Sequence, residues 1–303
     1  MMLLIFLDNT DSESMSKGLL IRQATVSDKE AITNLINRGD FVHQHLDWRS
    51  SLNSIGEQTY LVVEENNKIV AVLACLTDST NIAWVRLFGV IGSRKPELYW
   101  QILFSKIIEQ YQTFPQTPIF ALAIEEWFEY ILHSYGFTIY HQITVLEWRK
   151  KINYLPSPNR NSTIRLMTIK DVFDVYAIDN KSFEPIWRLP IDAISNALIN
   201  SAYATVAMIG EKIAGYQIST ATKSSAHLAR LGVLPEFQNQ SVGSNLIGDL
   251  ISKFVSLGHK TISVNTQSDN ASSLALYQKM GFLETGETFP VFQYDRNNII
   301  GAN

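Results

Sequence analysis

The sequence predicts two tandem copies of one mixed α/β unit, and three observations support this. Its 303 residues correspond to roughly two domains of about 150 residues each. Landmarks recur along it at a nearly constant spacing of 143 residues. Between the copies lies Pro156-Ser157-Pro158-Asn159, which suits neither helix nor strand. The expected division is an N-terminal extension over 1–18, a first unit over 19–150, a linker over 151–162 and a second unit over 163–303.

The landmarks justify the elements in order. Ile21-Arg22 and Ile164-Arg165 open short strands that end at Thr25 and Thr168, each three residues before an aspartate, Asp28 and Asp171. A threonine followed at that distance by a carboxylate is a helix start, because the two side chains satisfy orphan backbone N–H groups. Helical apolar spacing follows at Ile32, Leu35, Ile36 and at Val172, Val175, Tyr176. Tyr60 and Tyr203 each open a hairpin, with turns at Glu65-Asn66-Asn67-Lys68 and Gly210-Glu211-Lys212. Further strands end at Gly89-Val90 and Gly232-Val233, and helices stop at Gly136-Phe137 and Gly281-Phe282.

Composition narrows the function. Apolar residues make up 46% and charged residues 18%, enough apolar material for two cores and unlike a disordered chain. The lone cysteine, Cys75, excludes a disulfide scaffold and suits a reducing compartment. Net charge is −4 and neither half carries the basic excess needed to neutralise nucleic-acid phosphates. The apolar start Met1–Leu7 lacks basic residues and a cleavage pattern, so it reads as a loose extension rather than a leader. No stretch approaches the ~18 apolar residues of a membrane span. A cytoplasmic protein without a membrane or nucleic-acid partner is expected.

The chemistry concentrates in LGVLPEFQNQSVGSNLIGDLI, Leu231 to Ile251. A strand ends at Val233, Pro235 stops its pairing, and a polar turn leads into a helix whose Leu246, Ile247, Leu250, Ile251, Phe254 and Val255 share one face. A loop opening into a helix aims free N–H groups and the positive dipole end at one spot, a cradle for a pyrophosphate, with Gly243 permitting close approach. Neither Gly-Lys-Ser/Thr nor G-x-G-x-x-G is present, so nucleoside triphosphate and dinucleotide folds are excluded. Downstream, strand Thr261–Thr266 leads to Asp269-Asn270 and the helical ASSLALYQKMGF, with Asn270 as its cap.

V-x-P-x-x-Q-x-x-S-x-G (Val233, Pro235, Gln238, Ser241, Gly243) followed by N-x-x-x-x-x-L-Y-x-x-x-G-F (Asn270, Leu276, Tyr277, Gly281, Phe282) resembles the GNAT superfamily of acetyl-CoA-dependent N-acetyltransferases over residues 163–295. The resemblance implies tandem units, each a mixed, mostly antiparallel, splayed sheet flanked by helices. It implies acetyl-CoA as cosubstrate, no metal, and direct attack of an amine on the thioester. By position, Val233 would hydrogen-bond the pantetheine arm and polarise the carbonyl, and Gln238, Ser241, Val242, Gly243 and Ser244 would line the pyrophosphate loop. Asn270 would contact the CoA arm or serve only as a cap, and Tyr277 would protonate the leaving thiolate. Ser241 replaces the family's first loop glycine, and the loop carries no positive charge. A decayed CoA-binding or scaffolding protein is the alternative, distinguished by turnover.

In the first unit the 143 spacing places Trp100 where Gly243 stands, Leu98 at Ser241 and Lys95 at Gln238. Counting from the Gly-Phe landmarks, Leu132 replaces Tyr277 and Glu125 replaces Asn270. This copy is therefore expected to have a structural or substrate-shaping role. No general base is identified: His227 and Glu184 are candidates, each with an ordinary surface or core role as the blander reading. The second unit also resembles ribosomal-protein alanine N-acetyltransferases, but Asn265 stands where they carry a glutamate. His43 and His45 lack the cysteines or carboxylates of a metal site, and no G-x-S-x-G elbow is present. The acceptor and the oligomeric state are not encoded in any motif.

Overall fold

The computed structural model describes residues 19–45, 48–77, 81–111, 117–150 and 162–295. The expected extension and nearly all of the expected linker, including Pro156–Asn159, lie outside the described residues.

The first unit runs β1 (Leu19–Gln23), α1 (Lys29–Arg38), β2 (Phe41–Gln44), β3 (Tyr60–Glu65), β4 (Lys68–Thr77), β5 (Ala83–Val90), α2 (Pro96–Tyr111), β6 (Ile119–Leu122), α3 (Glu126–Ser134) and β7 (Phe137–Arg149). The second runs β8 (Thr163–Leu166), α4 (Val172–Ser182), α5 (Ile191–Asn200), β9 (Tyr203–Ile209), β10 (Lys212–Ala221), β11 (Ser225–Val233), α6 (Val242–Ser256), β12 (Thr261–Gln267), α7 (Ala271–Lys279) and β13 (Leu283–Tyr294).

The repeat extends to individual hydrogen bonds. Thr25 with Asp28 and Thr168 with Asp171 form the two capping boxes. Each aspartate also takes a bidentate guanidinium, Arg22 at 2.7 and 2.8 Å and Arg165 at 2.8 and 2.8 Å. These bonds hold both carboxyls at a pKa of about 2, well below the usual carboxylate range. Helices α3 and α7 both end before a left-handed glycine, Gly136 (φ 82°) and Gly281 (φ 88°). The hairpin turn between β3 and β4 places Asn66 and Asn67 at φ 51° and 61°, the geometry that a tight two-residue connection needs.

The two units do not form separate sheets. All strands among the described residues belong to one sheet in the order β1-β3-β4-β5-β6-β13-β7-β12-β11-β10-β9-β8, with β2 added on β5. The last strand of each unit crosses to the other. β13 pairs with β6 through Val291↔Leu122, and β7 pairs with β12 from Thr261↔Arg149 to Gln267↔Ile143. β7 and β13 pair antiparallel with each other at the centre. Most pairings are antiparallel; β5 with β6 and β11 with β12 are the parallel ones.

Those parallel pairs are short. β11 and β12 pair from Ser225↔Thr261 to Leu228↔Val264 and then diverge, although β11 continues to Val233 and β12 to Gln267. The sheet opens there into a V, with α6 and α7 on either side of its mouth. No helix among the described residues is long and apolar enough to cross a membrane.

Candidate active site

The V encloses a cavity of about 830 Å³. Its walls come from the end of β11, the loop into α6, the first turns of α6 and α7, the segment after α4, and β7 of the first unit. Leu234 N donates to Ala214 O across to β10 at 2.9 Å. Strand alternation therefore turns the N–H of Val233 the other way, into the V. The Val233 carbonyl accepts from Ser182 Oγ at 3.0 Å and from Gln238 Nε2 at 3.1 Å, which fixes the edge of the opening.

Helix α6 begins at Val242 with no side-chain cap. Its first intrahelical bond is Asn245 N to Ser241 O at 2.9 Å, so the amides of Val242, Gly243 and Ser244 have no acceptor among the described residues and sit on the cavity wall. The loop curls to present them because Asn239 and Ser241 are both left-handed, φ 59° and 66°. A serine in that conformation costs about 1–2 kcal/mol relative to the ordinary region. Gly243 has a packing role beside any ligand role: a Cβ there would lie 2.9 Å from Leu276 Cδ2, so its absence lets α7 approach α6.

Seven of the residues singled out in the sequence meet at this cavity: Val233, Gln238, Ser241, Val242, Gly243, Ser244 and Asn270. Asn270 Oδ1 accepts from Ser273 N at 3.1 Å, so it does cap α7. Tyr277 lies one residue beyond Leu276 of the wall but faces inward, 6% exposed, with its ring 5.8 Å from that of Phe282. Burial raises its pKa above the ordinary phenol value and the nearby Arg230 charge opposes this, so the hydroxyl stays protonated at neutral pH. Of the base candidates, Glu184 lines the cavity and His227 does not. His227 Nδ1 lies 2.9 Å from Ser263 Oγ, and burial lowers its pKa. Asn265 is exposed on β12.

A family model described as the Acetyltransferase (GNAT) family matches residues 171–282, the stretch that builds all of this site except the β7 wall. Residues 171–282 are a GNAT acetyltransferase domain. An Escherichia coli (strain K12) [ribosomal protein bS18]-alanine N-acetyltransferase is 32% identical over 73 residues, 24% of this chain and 49% of the relative, so the chain spans about half the length of that relative. A Bacillus subtilis (strain 168) relative is 24% identical over 127 residues, 41% of this chain and 83% of that one. Two solved structures share the fold across both units. A tandem GNAT protein from the clavulanic acid biosynthesis pathway has TM-score 0.64 at 14% identity, covering 91% of this chain and 97% of that chain. A GCN5-related N-acetyltransferase from Sphaerobacter thermophilus has TM-score 0.60 at 13% identity, covering 91% and 95%.

Three cavity residues were given no role from the sequence. Lys279, at the end of α7, is the one lysine or arginine on the cavity wall among the described residues, and it offsets the uncharged loop. Trp187 comes from the Pro185–Trp187 turn, which a buried polar trio holds in place. In that trio Asp179 is fully buried and accepts from Tyr216 Oη, Arg230 Nε and Leu189 N. Arg230 then donates to Trp187 O and stacks 3.5 Å over the Phe183 ring. His141 arrives from the first unit on the exchanged β7, so only the sheet order reveals it.

The first unit's counterpart of this cavity is filled. β2 lies along β5 at Phe41↔Val90 through Gln44↔Leu87, on the edge that β11 leaves open. Helix α2 starts at Pro96, so residues corresponding to the Asn239–Ser241 loop are helical there. Trp100 is fully buried, edge-on to Phe88 at 5.1 Å and to Phe128 at 5.5 Å, in the space between α2 and α3. His43 stacks on Phe128 at 4.1 Å and burial lowers its pKa to about 4, so it is a neutral core residue. No metal-holding group of histidines, cysteines and carboxylates is found among the described residues.

Proposed function

We propose that residues 163–303 transfer the acetyl group of acetyl-CoA to a primary amine, and that residues 19–150 shape the acceptor side without binding acetyl-CoA. The observation that carries this reading is the row of unpartnered amides at the start of α6, facing the same cavity as the outward N–H of Val233. The fit to a CoA thioester is chemical. The amides from Ser241 to Ser244, with the helix dipole behind them and Lys279 beside them, suit a diphosphate. The Val233 N–H suits a carbonyl oxygen that gains negative charge as the amine attacks. Gln238 orders the strand edge, and Asn270 holds the turn against which the pantetheine arm would run.

Tyr277 is the proposed acid: its hydroxyl gives a proton to the sulfur as the C–S bond breaks. The acceptor class is a primary amine of a small molecule or a peptide N-terminus, and the proposed compartment is the cytoplasm. The test is release of free thiol from acetyl-CoA with an amine panel that includes an alanine-initiated peptide. Tyr277→Phe is expected to lower turnover roughly 10²–10⁴-fold while CoA affinity by calorimetry stays near the parent value. Calorimetric CoA binding without turnover on any amine would instead support a CoA-binding protein with decayed chemistry.

A further inference from the structure

We propose that His141, delivered from the first unit by strand exchange, is the general base of the second unit's reaction, oriented by Asp269. The proposal rests on the acetyltransferase reading above. His141 sits on β7, opposite Val291 of β13 and just beyond the end of the β7–β12 ladder, and its ring forms part of the cavity wall. Nδ1 lies 3.5 Å from Asp269 Oδ2, so the carboxylate favours the tautomer with the proton on Nδ1 and leaves Nε2 as the acceptor. Nε2 is buried and has no hydrogen-bond partner. An imidazole nitrogen orphaned in the wall of a reaction cavity costs free energy until a ligand meets it, which suits an amine N–H.

The surroundings favour the same ligand. Trp187, whose ring centroid is 5.9 Å from that of His141, also lines the cavity, and its buried Nε1–H has no acceptor and suits a carbonyl oxygen beside the amine. The charged groups on the wall beside His141 are Glu184 from the segment after α4, Asp269 from the turn before α7, and Lys279 at the far end of α7; Tyr140 packs edge-on at 4.5 Å. Two carboxylates on this wall draw in an ammonium. His141 Nε2 then takes one proton from it, and the freed amine lone pair forms the C–N bond. The C–S electron pair leaves to sulfur, which takes a proton from Tyr277, and the surplus proton of the new amide nitrogen restores Tyr277. The imidazolium finally releases its proton to solvent, so the reaction frees one proton in total.

The test uses the full chain, acetyl-CoA and the best alkylamine of the panel, with kcat/KM followed by free thiol from acid to alkaline pH. His141→Gln is expected to lose roughly 10²–10⁴-fold near neutrality, with the loss shrinking as pH rises and the amine deprotonates unaided. Asp269→Asn, at an exposed position, is expected to lose about tenfold with the same trend. Both variants should bind CoA within about twofold of the parent by calorimetry, which shows that they fold. Parent-like kcat/KM in His141→Gln, or a loss equal at every pH, overturns the assignment of the base alone. Absence of turnover in the parent overturns the acetyltransferase reading and this inference with it.

Discussion

Phe41–Gln44 and Glu184–Trp187 occupy the same place in the two units, 143 residues apart, yet one is a strand and the other a turn. In the first unit the segment zips along β5 and closes the V. In the second, Pro185 stands where Val42 does and opens a tight turn over Pro185–Trp187 in place of the strand. The chain lifts away and leaves a cavity. The difference continues beneath it: where the first unit packs Ile36, Val72 and Leu87 in one apolar cluster, the second buries Asp179, Tyr216 and Arg230. Burying charge costs desolvation that well-packed apolar side chains avoid. The second unit bears that cost, and what the trio holds is the turn carrying Trp187 and Glu184 into the site.

The largest expected effect tests that trade. Arg230→Leu alone strands a buried carboxylate and should destabilise the protein by about 3–5 kcal/mol in chemical denaturation. Replacing the whole trio with its first-unit counterparts (Asp179→Ile, Tyr216→Val and Arg230→Leu) should recover most or all of that stability. Turnover should nevertheless stay low, because the turn has lost its anchor. A triple variant with parent-like turnover would show that the trio serves only stability.

A smaller effect concerns the cation that the first unit lacks, since Ser134 stands where Lys279 does. Lys279→Ala should weaken CoA binding about two- to fivefold at low ionic strength, with the difference fading in high salt. An unchanged calorimetric affinity at low salt would remove the lysine from the phosphate site. The smallest effect is at Ser241, which is left-handed where the first unit is already helical. Ser241→Gly should raise the thermal midpoint modestly, by less than about 1 kcal/mol in free energy, because relief of strain is partly offset by the looser unfolded chain. A lower midpoint would mean that the serine hydroxyl contributes more than its backbone costs.

Much of the site was legible in the sequence because its parts are local. The run from Val233 to Ser244 is one strand–turn–helix, and Asn270 caps the helix that carries Tyr277, so spacing alone brings the members of each run near each other. Trp100 as a blocking residue was equally legible, since an indole at the position of the loop glycine has to fill space. Tyr277 shows the limit of such reading. The motif gives its position on α7, but the packing of that helix against Phe282 decides that the ring faces inward.

By itself, then, the sequence determined the duplication, the paired capping boxes, and which copy keeps an open helix start, because caps, turns and helix faces depend on residues a few positions apart. Tertiary structure alone decided that β7 and β13 trade places, that His141 and Trp187 share a wall, and that Lys279 reaches the cavity. Strand order is set by the burial of surfaces more than a hundred residues apart, and no local pattern specifies which of two equivalent edges a strand will join.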